Sequence, residues 1–142
     1  MSEKVLLVDD EKDFLDIMSE RMEARGMTVK TADSADQALK ILEKESFDAI
    51  VMDFKMPGMD GIQALKNIKT RKPELQIILL TGYATVEKTV EAMKIGATDL
   101  LEKPADLEAL AAKIKQAKAE KMLVVEKKTE DKIKDILKRF SG

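Results

Sequence analysis

Five side chains of this 142-residue chain stand just beyond short apolar runs. Asp9 and Asp10 follow Val5–Val8, Asp53 follows Ala49–Met52, Thr81 follows Ile77–Leu80, and Lys103 follows the weaker run Thr98–Leu101. Carboxylates held a few Å apart repel, so one takes a proton or a cation sits among them. Mg²⁺ suits such a group, because it accepts one or two carboxylates, some water and a phosphate oxygen. An Asp neutralised in this way can attack phosphorus and form an acyl phosphate. The equatorial oxygens of the transferred group then need donors. Thr81 offers a hydroxyl and Lys103 a point positive charge, so the set fits phosphoryl transfer to Asp53.

Composition narrows the chemistry further. The chain has no His, Cys or Trp. It therefore holds no disulfide, thiolate zinc site, imidazole metal site, His general base or Ser–His–Asp triad of its own. Oxygen ligands remain, and these favour hard cations such as Mg²⁺. Hydrophobic residues make up 44% and charged residues 37%, with a net charge of −2, which describes a water-soluble domain with no overall bias toward nucleic acid. The apolar runs are too short to span a bilayer, and Met1-Ser2-Glu3-Lys4 lacks the layout of a signal peptide. A cytoplasmic protein without membrane attachment is expected.

The elements that must position these groups alternate along the chain. Val5–Val8, Ala49–Met52 and Ile77–Leu80 are runs of the kind buried on both faces of a parallel sheet, and Met27–Thr31 and Thr98–Leu101 are weaker strand candidates. Between them the period changes to that of helices. The stripes are Phe14, Ile17, Met18 and Met22; Ala35, Ala38, Leu39 and Leu42; Ile62, Leu65 and Ile68; Val86, Val90 and Met93; and Leu107, Leu110, Ala111 and Ile114. Met18, Met22, Met52 and Met93 fit core or half-core positions. Ser34 with Gln37 reads as a capping box, Gly26 and Gly96 as helix ends, and Asp106 as an N-cap. Strand and helix repeated five times, with right-handed crossovers, give a parallel sheet with helices on both faces. In such sheets functional groups collect at the carboxyl ends of the strands, where all five residues lie.

Four motifs at these strand ends resemble those of the receiver domains of two-component response regulators. They are Val8-Asp9-Asp10-Glu11, Asp53-Phe54-Lys55-Met56-Pro57-Gly58-Met59-Asp60-Gly61, Thr81-Gly82-Tyr83-Ala84 and Glu102-Lys103-Pro104, and the resemblance spans residues 4–118. The wording from Tyr83 to Pro104 is closest to receivers of bacterial ATP-dependent transcription activators. The resemblance implies a flavodoxin-like, doubly wound five-stranded sheet in the order 2-1-3-4-5, flanked by five helices. It implies Asp53 as phospho-acceptor, with Thr81 and Lys103 contacting the phosphoryl group. Mg²⁺ would be held by Asp10, Asp53 and the backbone carbonyl of Lys55, and by Asp9 through water. A cis Lys103–Pro104 bond and access tuning by the Lys55 side chain are also implied. One position departs from the pattern: Leu100 stands where many members carry Tyr or Phe, so an aromatic flip does not carry over. Tyr83, the only tyrosine, is a candidate substitute in the switch.

Taken singly, each residue has an ordinary explanation. Asp9 and Asp10 could cap a helix, Asp53 end a strand, Thr81 bond to backbone and Lys103 sit at the surface. Jointly they describe a phospho-accepting signalling module that takes its phosphoryl group from a sensor histidine kinase or phosphotransfer protein. Its chemistry would be confined to its own phosphorylation and dephosphorylation. An Asp-nucleophile phosphatase is the enzyme alternative, although Lys55 occupies the place of its second Asp. A phosphorylation-independent scaffold is the third class. Residues 1–119 form the receiver on this reading, and 120–142 a C-terminal helical extension or linker. That extension is locally basic, with eight basic against five acidic side chains from Lys118 to Gly142, and carries the stripe Ile133, Ile136, Leu137 and Phe140. It is expected to be a solvated extension, or an amphipathic helix that contacts a partner, a second copy of the chain in a homodimer, or a basic-seeking surface.

Overall fold

The computed structural model describes residues 3–56, 59–82, 85–104 and 106–140. Five strands form one parallel sheet: β1 (Lys4–Val8), β2 (Thr28–Ala32), β3 (Ala49–Asp53), β6 (Gln76–Thr81) and β7 (Asp99–Glu102), in the order β2-β1-β3-β6-β7. Counting only these strands, the order is the expected 2-1-3-4-5. Two further two-residue strands, β4 (Lys55–Met56) and β5 (Met59–Asp60), pair antiparallel beside the end of β3.

The alternating side chains of the central strands explain the layers. Leu6, Val8, Ile50, Met52, Ile77 and Leu79 point to one face, where α2 (Ala35–Lys44), α3 (Gly61–Arg71) and α4 (Val86–Ile95) cover them. Val5, Leu7, Ala49, Val51, Ile78 and Leu80 point to the other, against α1 (Lys12–Ala24) and α5 (Leu107–Phe140). Both faces are apolar, as a sheet sandwiched between helix layers requires.

Local signals act as expected at most element ends. Ser34 Oγ accepts from Gln37 N–H at 3.1 Å, while the Gln37 side chain reaches the amide of Asp33 rather than that of the cap residue. Gly26 and Gly96 end α1 and α4 with φ of +89° and +122°, a region that costs L side chains dearly. Asp106 caps α5, its carboxylate accepting from Ala109 N–H. The Lys103–Pro104 bond is cis.

Two helical stripes read from the sequence are corrected. On α1 the buried face is Leu15, Met18 and Met22; Phe14 is half-buried and Ile17 exposed, because Phe14, Ile17 and Arg21 lie along the shoulder of the helix. They line a groove of about 450 Å³ with Glu11, Lys103 and Pro104. On α4 the stripe Val86, Val90 and Met93 faces outward, so Met93 is not a core residue. The helix instead turns Ala92 and part of Ile95 to the body, on roughly the opposite side at 100° per residue.

The last helix runs unbroken through Ala119 and Glu120 to Phe140. Leu110, Ala111, Ile114 and Ala117 bury its first half. Lys121 Nζ then donates to the carbonyl of Phe47 at 2.6 Å, and Lys128 pairs with Glu74. From Met122 onward every described residue is exposed, including Ile133, Ile136, Leu137 and Phe140. No helix among the described residues is long and apolar enough to cross a membrane. A chain ended at Lys121 should unfold in urea within about 1 kcal/mol of the full chain, since only exposed surface and three exposed ion pairs are lost, one of them to the body. A loss above about 2 kcal/mol would mean that the extension is covered in solution.

Candidate functional site

Parallel pairing brings the five residues to one end of the sheet. Asp53 is opposite Leu80 on β6, and Thr81 is opposite Glu102 on β7. Each is the last residue of its strand, as expected, because neighbouring backbones extend past the apolar runs. Phe54 N–H donates to Leu80 O at 2.8 Å, and Lys103 N–H to Thr81 O at 2.7 Å. Asp9 follows β1 directly and is held there by its amide bond to Ala32 O. The strand order reverses between β1 and β3, so Asp9, Asp10 and Asp53 flank the switch point.

The crevice is strongly acidic. Asp9, Asp10 and Asp53 each offer an oxygen within 4.8 Å of the others. Asp9 is wholly buried, Asp53 nearly so, and Asp10 is exposed. Asp9 Oδ1 accepts from Glu11 N–H at 2.9 Å, and its Oδ2 accepts from Lys103 Nζ at 2.7 Å. Lys103 Nζ also reaches Asp53 Oδ2 at 3.3 Å. Burial of the ammonium lowers its pKa, but the bond to Asp9 and the charges of Asp53 and Asp9 outweigh it, and Lys103 lies above the ordinary lysine value. Thr81 is buried at the end of β6.

Three carboxylates against one lysine leave this crevice short of positive charge, and all the donors are oxygens. That donor set fits a hard divalent cation, with Asp10 as its solvent-facing member. The backbone of Lys55 lies in β4, two residues after Asp53; its side chain, like Tyr83, lies outside the described residues, so neither expected role is placed. Leu100 packs against the core on the α2–α4 side.

Two residues that matter to the site escaped the sequence. Phe14 fits a core stripe by its spacing, yet its ring lies 4.5 Å from Lys103 Nζ. The only signal was an aromatic one helical turn after Asp10. Gly61 closes the loop after Asp53, and a side chain there would meet the Phe54 backbone.

Strand order, switch point and acidic cluster together define a doubly wound α/β domain whose site sits at the carboxyl end of its sheet. Comparison with known proteins specifies the class: the response regulator receiver domain model matches residues 5–115, and the chain belongs to that family. Receiver domains are the phosphorylation-accepting signalling modules of two-component systems. The chain is 43% identical over 110 residues to the response regulator protein FleR of Pseudomonas aeruginosa, covering 78% of this chain and 23% of that one. It is 38% identical over 115 residues to the transcriptional regulatory protein ZraR of Escherichia coli, covering 81% and 26%. It thus spans about a quarter of the length of these two relatives. Among solved structures, a response regulator receiver domain protein from Clostridium thermocellum is 34% identical with a TM-score of 0.81, covering 86% of this chain and 98% of that one.

Proposed function

We propose that the chain accepts a phosphoryl group on Asp53 from a phosphohistidine of a sensor kinase or phosphotransfer protein. The carrying observation is the Asp53 carboxylate at the end of β3, with Asp9 and Asp10 oxygens within 4.8 Å and Lys103 Nζ at 3.3 Å. An Asp53 oxygen attacks phosphorus while the P–N bond to the donor imidazole breaks, and the ring nitrogen keeps the electron pair. Lys103 pairs with one phosphoryl oxygen and the Thr81 hydroxyl donates to another, so negative charge meets fixed donors. These 142 residues contain no histidine, so the donor imidazole lies outside them.

Asp10, Asp53 and the Lys55 backbone carbonyl would hold Mg²⁺ directly. Asp9 would act through water, since its two oxygens are taken by the Glu11 amide and Lys103. The ion, when bound, supplies positive charge that offsets the carboxylates and the phosphoryl oxygens. Phosphorylation then biases a two-state surface toward an output partner, in a cytoplasmic module that itself touches neither nucleic acid nor membrane. Its only chemistry is on its own side chain, and residues 1–119 carry it.

Incubation with acetyl phosphate and Mg²⁺ should add one hydroxylamine-labile phosphoryl group, mapped by mass spectrometry to the peptide that contains Asp53. No uptake, or label on another residue, overturns the assignment. Mg²⁺ alone should raise the unfolding midpoint, by about 2.7 kcal/mol of stability at one hundred times its dissociation constant. Asp10→Asn should flatten that dependence in a melting series, and an unchanged slope would remove Asp10 from the ligand set.

A further inference from the structure

Lys103 enters the acidic crevice across the face of an aromatic ring. Its Nζ lies 4.5 Å from the centroid of Phe14, while the same nitrogen donates to Asp9 Oδ2 at 2.7 Å and to Asp53 Oδ2 at 3.3 Å. An ammonium has three N–H donors, and carboxylates engage two of them here. The ring covers the cation from a further side. Phe14 is half-buried at the edge of the core formed with α1 and α5, and it forms part of the wall of the groove that also contains Lys103.

The ring does what a third hydrogen-bonding group could not do. A lysine side chain is a flexible four-carbon stem carrying a compact, strongly hydrated charge. Fixed acceptors hold it in one place, whereas a π face attracts a cation over its whole area, with no single bond to break. When Asp53 gains a phosphoryl group, the oxygens presented to Lys103 change position. The ammonium must then pivot by a short distance without escaping into the groove.

We propose that Phe14 is a positioning residue for Lys103: its ring confines the ammonium against Asp9 and Asp53 and lets it shift onto a phosphoryl oxygen. The proposal rests on the reading of Asp53 as phospho-acceptor. A purely structural role for Phe14 predicts something different, because leucine fills a half-buried apolar position nearly as well but has no π face.

The test compares the full chain with Phe14→Leu and Phe14→Tyr. In the parent, NMR signals of the Lys103 ε-methylene protons (assigned by their loss in Lys103→Arg) should be shifted upfield by the ring. They should relax downfield in Phe14→Leu and stay put in Phe14→Tyr. Phosphorylation by acetyl phosphate with Mg²⁺ should slow about three- to fivefold in Phe14→Leu, and Phe14→Tyr should restore it. Methylene signals that do not move in Phe14→Leu overturn the proposal. So does a Phe14→Leu chain as fast as the parent, or one that Tyr fails to rescue. If Asp53 is not the acceptor, the phosphorylation arm is silent at Asp53 even in the parent, while the methylene signals still decide the role of Phe14.

Discussion

Asp53→Asn should take up no phosphoryl group from acetyl phosphate and Mg²⁺ under conditions that fully label the parent. Asparagine keeps the size and most of the packing of the side chain but cannot supply an anionic oxygen to attack phosphorus. The neighbours offer no replacement. Asp9 is wholly buried, with its oxygens committed to Lys103 and to the amide of Glu11. Asp10 is exposed at the rim, outside the position that Lys103 reaches. Loss of signal must be separated from loss of fold, and the charge balance does this. The substitution removes one of three clustered carboxylates facing a single ammonium, so repulsion falls. The metal-free variant should therefore melt no lower than the parent. Incorporation that persists in a folded Asp53→Asn chain, measured by intact mass, would falsify the assignment.

Gly61→Ala should be strongly destabilising, costing about 1–3 kcal/mol in urea unfolding. A Cβ built at Gly61 overlaps the carbonyl oxygen of Phe54 and sits 2.9 Å from its carbonyl carbon. Neither backbone has slack. Phe54 is the residue after Asp53, and its N–H is tied to Leu80 O on β6. Gly61 opens α3 directly after its cap Asp60, and Ile62, Leu65 and Ile68 bury that helix against the sheet. Relief must come from the loop between them, which includes Lys55, so Mg²⁺ stabilisation should weaken as well. Gly82→Ala is the control: its Cβ would meet nothing within 4 Å, and stability should be unchanged. Equal midpoints for Gly61→Ala and the parent would mean that the loop repacks freely.

The contrast between the two glycines shows which information the chain carries openly. The central strands were legible because burial on both faces leaves little choice but Val, Ile, Leu and Met, as in Ile77–Leu80. The acidic cluster and Lys103 were legible because parallel topology places every strand end on one side. Edges and outer faces were less so. The α4 stripe Val86, Val90 and Met93 has helical period yet faces water, because periodicity reports a face without saying whether anything covers it. The same period groups Phe14 with Met18 and Met22, although its ring lies beside Lys103. Its distance to Lys103 joins residues far apart in sequence, and it depends on how α1 lies along the sheet. Gly61 is a close approach of two backbones, which no single position announces.

The unbroken α5 has a kinematic consequence. Its first residue, Leu107, lies four positions after Lys103, and its last contacts with the body are made by Lys121 and Lys128. Beyond Lys128, from Thr129 to Phe140, the helix is an exposed arm about 18 Å long at 1.5 Å per residue. A tilt of about 10° at its root carries the tip through about 3 Å, the rise of two helical residues. Displacements too small to reshape the acidic crevice are thereby magnified at the far end, where they shift whatever packs there by about the length of two residues along the helix.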